Sequence, residues 1–356
     1  MGVSDGPIMQ SHPLFGYLYV PHLRKRLTQA GVGYLMRTNG SGFRSDHEFE
    51  PTRQVGKRRI LMFGDSQAAG DCISNSKRFS DLLEKKLDAA EVYNLALTGS
   101  GTDQQFLIHR EFALDLPHDL TIICVFVENI LRVQRKLFAR PNPEGQVQYY
   151  GKPYFELKNG ELLLKGLPVP ERPWTAETLP KEIRGNAQED FKPPTVRKRG
   201  RLERLARRIL PPRALQMIVP LLRRFIRHSV LPAYNSSATP EWQLLRAMLT
   251  AWIKESPTPV LLVPLPLSYF ITHPADARPC QVRFAELART TGCRLYDPLP
   301  DLCRLDMRKR REIWDHRTLH LSEYGHQVLA DLLTPVVEAM LPAVEEPAEA
   351  PHLSDA

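Results

Sequence analysis

The sequence predicts an α/β protein in which a parallel sheet of five strands lies between two layers of helices. Short apolar runs alternate along the chain with segments of helical spacing, as parallel sheets with helical crossovers require. These runs are nearly continuous, which is typical of strands buried on both faces. The number of units fits a flavodoxin-like strand order better than a barrel, which needs eight units.

The individual elements follow from the spacing of apolar residues. The expected strands are 60–63, 92–96, 120–127, 260–265 and 293–296. The expected helices are 78–88, 103–115, 242–253, 281–290 and 324–340. The first strand reads Ile-Leu-Met-Phe and ends at Gly64, as expected of a buried parallel strand.

Other parts of the chain precede, interrupt and follow the main domain, which is predicted to span 58–341. Residues 1–57 form a β-rich extension, because alternating β-branched and aromatic residues lead to a turn signal at 39–42. Pro-rich loops, a small β-like patch and a basic stretch interrupt the domain from about 132 to 240. The acidic tail, 342–356, is expected to be disordered.

Composition bounds the class of protein. A chain of 356 residues with 42% hydrophobic content is long enough to bury a sizeable core. The sequence shows neither a signal peptide nor a long uncharged apolar run, so we expect a cytoplasmic protein. The five cysteines form no CxxC pair, which argues against a disulfide framework and a zinc ribbon.

The net charge of +8 is concentrated in one segment. Residues 195–228 hold eleven Lys or Arg and one acid, so they carry +10 and leave about −2 for the remainder. Three interpretations of Arg197–Arg227 stay open: amphipathic helices packed on the domain, peripheral membrane binding, and recognition of an anionic glycan or sugar carrier. Nucleic acid is disfavoured because no aromatic platform interleaves the arginines.

Four short blocks carry the candidate chemistry. Ser66, Gly99 and Asn129 each follow a predicted strand, and His320 precedes the last predicted helix. Because ligands of open parallel sheets bind beyond the carboxyl ends of the strands, we expect these residues to converge. A serine, a backbone amide, a side-chain amide and an imidazole are the components of an acyl-transfer site.

Each component has a predicted role. Ser66 is the candidate nucleophile, and His320 is the base that takes its proton. The N–H groups of Ser66 and Gly99 and the side chain of Asn129 would hold an oxyanion, each such donor being worth about 100- to 1000-fold in rate. Asp315 is the nearest upstream carboxylate and is expected to orient the imidazole.

Simpler interpretations stand beside these roles. Ser and Asp are preferred helix N-caps, so Ser66 could merely begin a helix. A metal site is a further alternative, since His316 and His320 are four residues apart, with Asp315 and His326 nearby. No glutamate completes an HExxH motif, and neither a metal nor a cofactor is expected.

Together, the blocks resemble those of the SGNH (GDSL-type) hydrolase superfamily. Gly-Asp-Ser at 64–66 resembles the block with the nucleophile, and 94–99 resembles the block with the oxyanion glycine. Asn129 stands where the third block has its asparagine, and 320–326 resembles the last block with its histidine. The Gly-Phe-Arg-Ser segment at 42–45 is similar to a turn that precedes the serine block in bacterial members.

The chain departs from the family pattern in two blocks. The third block usually reads GxND, whereas this chain has Val-Glu-Asn-Ile at 127–130. The last block usually has an aspartate three residues before its histidine, where this chain has Arg317. Asp315 would substitute through a longer turn, and otherwise the site would be a Ser-His dyad aided by a backbone carbonyl.

The resemblance covers about 59–131 and 241–340 and implies both fold and activity. It implies a three-layer α/β/α sandwich and a serine esterase that cleaves short acyl esters. Acetyl groups on a carbohydrate or glycan precursor are the substrate it suggests. Two alternatives remain: an O-acyltransferase on the same site, and a non-catalytic module that binds a membrane or anionic glycan through the basic segment.

Overall fold

The structure is a computed structural model that describes residues 7–142, 144–184, 211, 230–273 and 275–343. In its N-terminal part the strands are β1 (Met9–His12), β2 (Gly16–Tyr19), β3 (Arg24–Gln29) and β4 (Val32–Arg37). In chain order, the later strands are β5 (Arg58–Phe63), β6 (Ala90–Asn94), β7 (Leu120–Phe126), β8 (Leu137–Pro141), β9 (Val147–Gly151), β10 (Tyr154–Lys158), β11 (Glu161–Lys165), β12 (Val260–Leu265), β13 (Arg294–Leu295), β14 (Trp314–Asp315) and β15 (His320–Leu321).

The central sheet contains five parallel strands in the order β6-β5-β7-β12-β13. In chain order of these five strands this is 2-1-3-4-5, so the predicted flavodoxin-like fold class is confirmed. Every residue of β5, β7 and β12 is buried, which explains why most of their residues are apolar. The remaining strands named above pair as antiparallel hairpins: β1-β2, β3-β4, β8-β9, β10-β11 and β14-β15.

Helices cover both faces of this sheet. The α-helices of the described residues are α1 (Ser66–Ala69), α2 (Phe79–Lys86), α3 (Thr102–Phe112), α4 (Pro240–Glu255), α5 (Ser268–Thr272), α6 (Arg278–Thr291), α7 (Leu299–Arg304), α8 (Met307–Glu312) and α9 (Glu323–Glu338). Helix α2 packs against α9, whereas α3 packs against α4, which also contacts α6. The five helices predicted from spacing correspond to α2, α3, α4, α6 and α9.

The N-terminal hairpins share the hydrophobic core of the sheet. Phe15, Tyr19 and Phe43 are almost fully buried and belong to the same apolar cluster as β5 and β7. The Phe43 ring also meets the Phe112 ring of α3 edge-on, with 5.1 Å between centroids. The predicted β-rich extension is therefore packed against the main domain, while the domain boundaries themselves stay predictions.

Parts of the sequence analysis fall on other segments. The basic segment Arg197–Arg227, apart from Pro211, and the tail beyond residue 343 lie outside the described residues. Within the described part of the chain, no helix combines the length and the apolar character needed to cross a membrane. All five cysteines are described, and all are free thiols.

Candidate active site

Ser66 lies at the carboxyl end of β5, as the first residue of α1. The carboxylate of Asp65 caps this helix by accepting a hydrogen bond of 3.0 Å from the Gln67 N–H. The N-cap is therefore Asp65, and within the described residues the Ser66 hydroxyl has no hydrogen-bond partner. Gly64 is required just before it, because a Cβ there would lie 2.6 Å from the Cβ of Ala68.

Three side chains from other parts of the chain lie close enough to the buried carboxylate of Asp65, the neighbour of Ser66, to affect its pKa. Burial raises the pKa of Asp65, and the positive charge of Arg132 is the largest effect in the opposite direction. Nη1 of Arg132 lies 3.8 Å from the carboxylate. The Asn129 side chain and the His320 ring also lower the pKa of Asp65. Residues that follow β5, residues that follow β7 and a residue of the C-terminal hairpin thus meet here.

Gly99 lies in the loop that follows β6, next to the end of β5. The loop is fixed there by a hydrogen bond of 3.0 Å from the Leu97 N–H to the Gly64 carbonyl. The Tyr17 hydroxyl donates to the Thr98 carbonyl at 2.8 Å, which sets the plane of the Thr98–Gly99 peptide. The Gly99 N–H consequently points away from Tyr17, and it has no acceptor among the described residues. Gly99 has φ +70°, a conformation that glycine adopts without strain.

Asn129 supplies a third donor. It lies on a single 3₁₀ turn, Val127–Leu131, that follows β7, and its side chain is fully buried. Its amide lies beside the Asp65 carboxylate, yet neither Nδ2 nor Oδ1 has a partner with hydrogen-bond geometry among the described residues. Most buried amides are satisfied, so an unsatisfied one at the end of a central strand indicates a functional site.

The segment that carries His320 is held against α1 by one side chain. Nε2 of Gln67 donates to the Leu319 carbonyl at 3.2 Å, and Oε1 of Gln67 accepts from the Leu321 N–H at 3.1 Å. These bonds flank His320 on both sides, and Gln67 directly follows Ser66. The structure thereby brings His320 to the end of the sheet at which Ser66 lies.

The carboxylate that the structure brings to the His320 ring is Asp71. Oδ2 of Asp71 lies 3.9 Å from Nε2 of His320, while Sγ of Cys72 lies 3.9 Å from Nδ1. Burial raises the pKa of Asp71, and the positive charge of His320 opposes this rise. The Thr98 hydroxyl donates a hydrogen bond to the same carboxylate. Sequence analysis missed Asp71, since nothing local in the loop after α1 signals a contact 249 residues away.

Asp315, the acid expected from the sequence, is engaged with another residue. Its carboxylate accepts from the Arg317 backbone at 2.9 Å and from that guanidinium at 3.0 and 2.5 Å. The hydrogen bond from the Arg317 side chain lowers the pKa of Asp315 to about 2. Within the described residues no hydrogen bond or ion pair joins this carboxylate to the His320 imidazole. The catalytic role of Asp315 therefore stays a prediction.

His326 has a structural role in the fold. Its Nδ1 accepts a hydrogen bond of 3.0 Å from the Phe79 N–H at the start of α2, and the two rings stack. Burial, with the nearby charges of Arg78 and Arg44, lowers the pKa of His326 to about 3. Of the described residues, no group of three or more His, Cys, Asp or Glu side chains could hold a metal ion.

Arg44, from the Gly-Phe-Arg-Ser segment, fixes the loop that carries Asp71. Its guanidinium is almost fully buried and donates to the carbonyls of Gly70 at 2.5 Å and Ile73 at 2.7 Å. It also donates to Oδ1 of Asn75 at 3.1 Å. The N-terminal extension thus determines the course of the chain immediately after α1.

The fold and the site together define an α/β protein with a serine, an imidazole and unengaged amide donors at the carboxyl ends of its central strands. No model of a protein family matches the sequence, and no curated protein matches it.

Solved structures do resemble this chain. The lipase/acylhydrolase from Enterococcus faecalis is 13% identical, with 82% of this chain and 100% of that chain covered and a TM-score of 0.39. For the psychrotrophic esterase EstA from Pseudoalteromonas sp., the identity is 11%, the coverages are 80% and 98%, and the TM-score is 0.38. A member of the lipolytic protein G-D-S-L family from Veillonella parvula DSM 2008 is 10% identical, with 78% of this chain and 97% of that chain covered and a TM-score of 0.40. At such values these similarities carry no argument about activity, which rests on the residues of the site.

Proposed function

We propose that this chain is a serine esterase that hydrolyses short-chain acyl esters, acetyl esters first among them. One observation carries the proposal: three amide donors at the end of the sheet that carries Ser66 have no acceptor among the described residues. These donors are the Ser66 N–H, the Gly99 N–H and the buried side-chain amide of Asn129. Donors fixed before the substrate arrives stabilise a tetrahedral oxyanion without reorganising during the reaction.

In the proposed mechanism the Ser66 hydroxyl attacks the ester carbonyl. His320 takes the serine proton as the new C–O bond forms, and the carbonyl oxygen becomes an oxyanion held by the amide donors. His320 then gives that proton to the leaving alcohol, and an acyl-enzyme remains. Water, deprotonated by His320, attacks the acyl-enzyme and releases the acid and the free Ser66 hydroxyl.

A carboxylate would stabilise the imidazolium that forms in each of these steps. Asp71 is favoured for this role because it lies 3.9 Å from Nε2 of His320, whereas the Asp315 carboxylate bonds to Arg317.

The carbohydrate part of the proposed substrate rests on the sequence resemblance. Blocks like those at 64–66 and 94–99 occur in bacterial relatives that remove acetyl groups from glycans. An acetylated carbohydrate or glycan precursor is therefore the substrate class to assay after a simple aryl ester.

The test is hydrolysis of p-nitrophenyl acetate combined with fluorophosphonate labelling. Ser66→Ala and His320→Ala should each lower kcat/KM by about 10⁴-fold or more, because a nucleophile and its base act as one unit. Only proteins that retain Ser66 should be labelled. Ser76→Ala is the matched control, because Ser76 is exposed and should behave as the parent. Absence of both activity and labelling in the parent would refute the esterase proposal.

A further inference from the structure

The positively charged side chain of Arg140 lies beside the Gly99 backbone. A Cβ placed on Gly99 would lie 3.1 Å from the Tyr17 hydroxyl and 3.7 Å from Nη2 of Arg140. Arg140 comes from β8, in the hairpin β8-β9 that follows Asn129 in the chain. Its guanidinium therefore lies next to Gly99, whose N–H would donate a hydrogen bond to the carbonyl oxygen of the substrate.

Aromatic rings hold the Arg140 side chain in this position. The centre of its guanidinium lies 5.8 Å from the Tyr17 ring centroid and 6.0 Å from that of Phe138. These two rings contact each other edge-on, with 5.8 Å between centroids. Stacking of this kind restricts a long side chain while its charge stays accessible.

Arg140 differs from other cations of the same hairpins in having no anionic partner among the described residues. Lys136 pairs with Glu156 at 2.7 Å, and Lys152 pairs with the buried Asp103. Arg140 is exposed, and no carboxylate of the described residues lies within ion-pair distance of it. A guanidinium held beside a catalytic glycine, with its charge uncompensated, is suited to bind an anion.

Arg132 adds to the positive potential at this place. Its Nη1 is buried without a hydrogen bond among the described residues, and it lies 3.8 Å from Asp65. The two arginines also act together on Tyr17. Burial raises the pKa of the Tyr17 hydroxyl, and the charges of Arg140 and Arg132 are the largest effects that oppose this rise.

We propose that the substrate carries an anionic group close to its ester, and that Arg140 binds this group. This inference rests on the proposed esterase function and specifies its substrate class, an acylated sugar that itself bears a carboxylate or a phosphate. The planar fork of a guanidinium matches both anions through paired N–H donors. Because Arg140 lies beside Gly99, the anion must be close to the acyl oxygen, as on the same sugar ring.

Three aryl acetates that differ in one substituent test the proposal. They are 3-acetoxybenzoate, 3-acetoxyphenyl phosphate and the neutral 3-acetoxybenzamide. The parent should favour an anionic probe over the amide by about tenfold or more in kcat/KM, the effect of a charge-assisted hydrogen bond. The anion that is preferred then distinguishes a carboxylate from a phosphate.

Arg140→Gln should remove most of this preference, and Arg24→Gln is the matched control. Arg24 is exposed on β3, so its replacement removes the same charge elsewhere and should retain the preference. Higher salt should weaken the preference in the parent, because it screens accessible charges. Equal kcat/KM values for the three probes in an active parent would overturn the anion site and leave the esterase proposal standing.

A binding measurement keeps the inference testable if none of the probes is hydrolysed. Calorimetric titration with 3-hydroxybenzoate, 3-hydroxyphenyl phosphate and 3-hydroxybenzamide compares the same substituents without chemistry. Tighter binding of an anion by the parent, lost in Arg140→Gln, would support the anion site even if the esterase proposal failed. Equal binding by the parent and by Arg140→Gln would overturn the anion site.

Discussion

Two regions of the molecule hold opposite sides of the candidate site, and they do so by different means. On the N-terminal side, buried groups bind the backbone of the loops after β6 and α1: the Tyr17 and Tyr19 hydroxyls contact Thr98, and Arg44 contacts Gly70. On the C-terminal side, the hairpin β14-β15 has two residues in each strand, and Gln67 ties it to α1.

The difference separates stability from catalysis. Arg44 is buried and donates to three groups, so its loss would leave polar groups unsatisfied in an apolar interior. On the C-terminal side, Trp314 and Leu321 are buried in the core, so losing the side-chain bonds of Gln67 should lower the free energy of unfolding less while it displaces His320. We therefore expect substitutions on the N-terminal side to act first on stability, and those on the C-terminal side to act first on turnover.

The largest expected effect on stability is that of Arg44→Met. The carbonyls of Gly70 and Ile73 and the amide of Asn75 would lose a buried charged donor, which should lower the free energy of unfolding by about 4 kcal/mol. Urea unfolding measures this change. The exposed Arg24→Met should change the same quantity little. Equal stability of the two variants would show that the buried hydrogen bonds of Arg44 do not stabilise the fold.

Replacing the two candidate acids sharpens the comparison at His320 itself. Asp71→Asn should lower kcat/KM by about 100-fold or more, because the imidazolium formed in the reaction loses a nearby negative charge. Asp315→Asn should have a smaller effect, since its carboxylate is engaged with Arg317. A larger loss for Asp315→Asn would support the assignment made from the sequence, and small losses in both would fit a Ser-His dyad.

A pH-dependent loss of stability should come from His326, which lies on α9 and bonds to the start of α2. Its pKa is lowered from 6.5 to about 3. The free energy of unfolding is therefore unaffected by this residue above pH 6.5 and falls as the pH is lowered from 6.5 towards 3. At pH 5 the unfolded chain is protonated at this residue and the folded chain is not, which costs about 2 kcal/mol. Urea unfolding at pH 7.5 and 5.0 measures the difference, and His326→Gln should reduce it. An unchanged difference in that variant would assign the effect to other groups.

The smallest expected effect is that of Gln67→Ala, and it should fall on turnover. Losing the bonds to Leu319 and Leu321 frees the segment around His320, which should lower kcat by about tenfold and change KM less. Gln327→Ala is the control, because that side chain bonds to Asp331 on the surface of α9. If Gln67→Ala instead lowered stability as much as Arg44→Met, the two sides would not differ as proposed.

Local patterns were sufficient to predict the sheet and the candidate serine. The run that forms β7 is apolar at six of its seven positions and entirely buried, and Ser66 directly follows a strand end, so both are signalled by adjacent residues. Helix α1 has only four residues, too few for a periodic pattern. Proximity in the chain favours Asp315 as the acid beside His320, but the turn between them directs its carboxylate to Arg317.

The residues that sequence analysis missed act across long separations. Gln67 meets Leu319 and Leu321, Tyr17 meets Thr98, and Arg140 lies beside Gly99 only through the placement of the β8-β9 hairpin. None of these pairs is marked by spacing, since the contacts depend on how separate elements pack. The position of Gln67 next to a strand end is visible in the sequence, but its partners Leu319 and Leu321 are not.

The hydrogen bonds of Gln67 also bear on how long the segment between β7 and α4 can be. They close a loop of 252 residues between Gln67 and Leu319, and the predicted interruption from about 132 to 240 lies inside it. The entropy of closing a loop grows only with the logarithm of its length, so an interruption that less than doubles the loop costs under about 0.6 kcal/mol. Segments of very different size can therefore be accommodated between β7 and α4 while the segment around His320 still reaches α1.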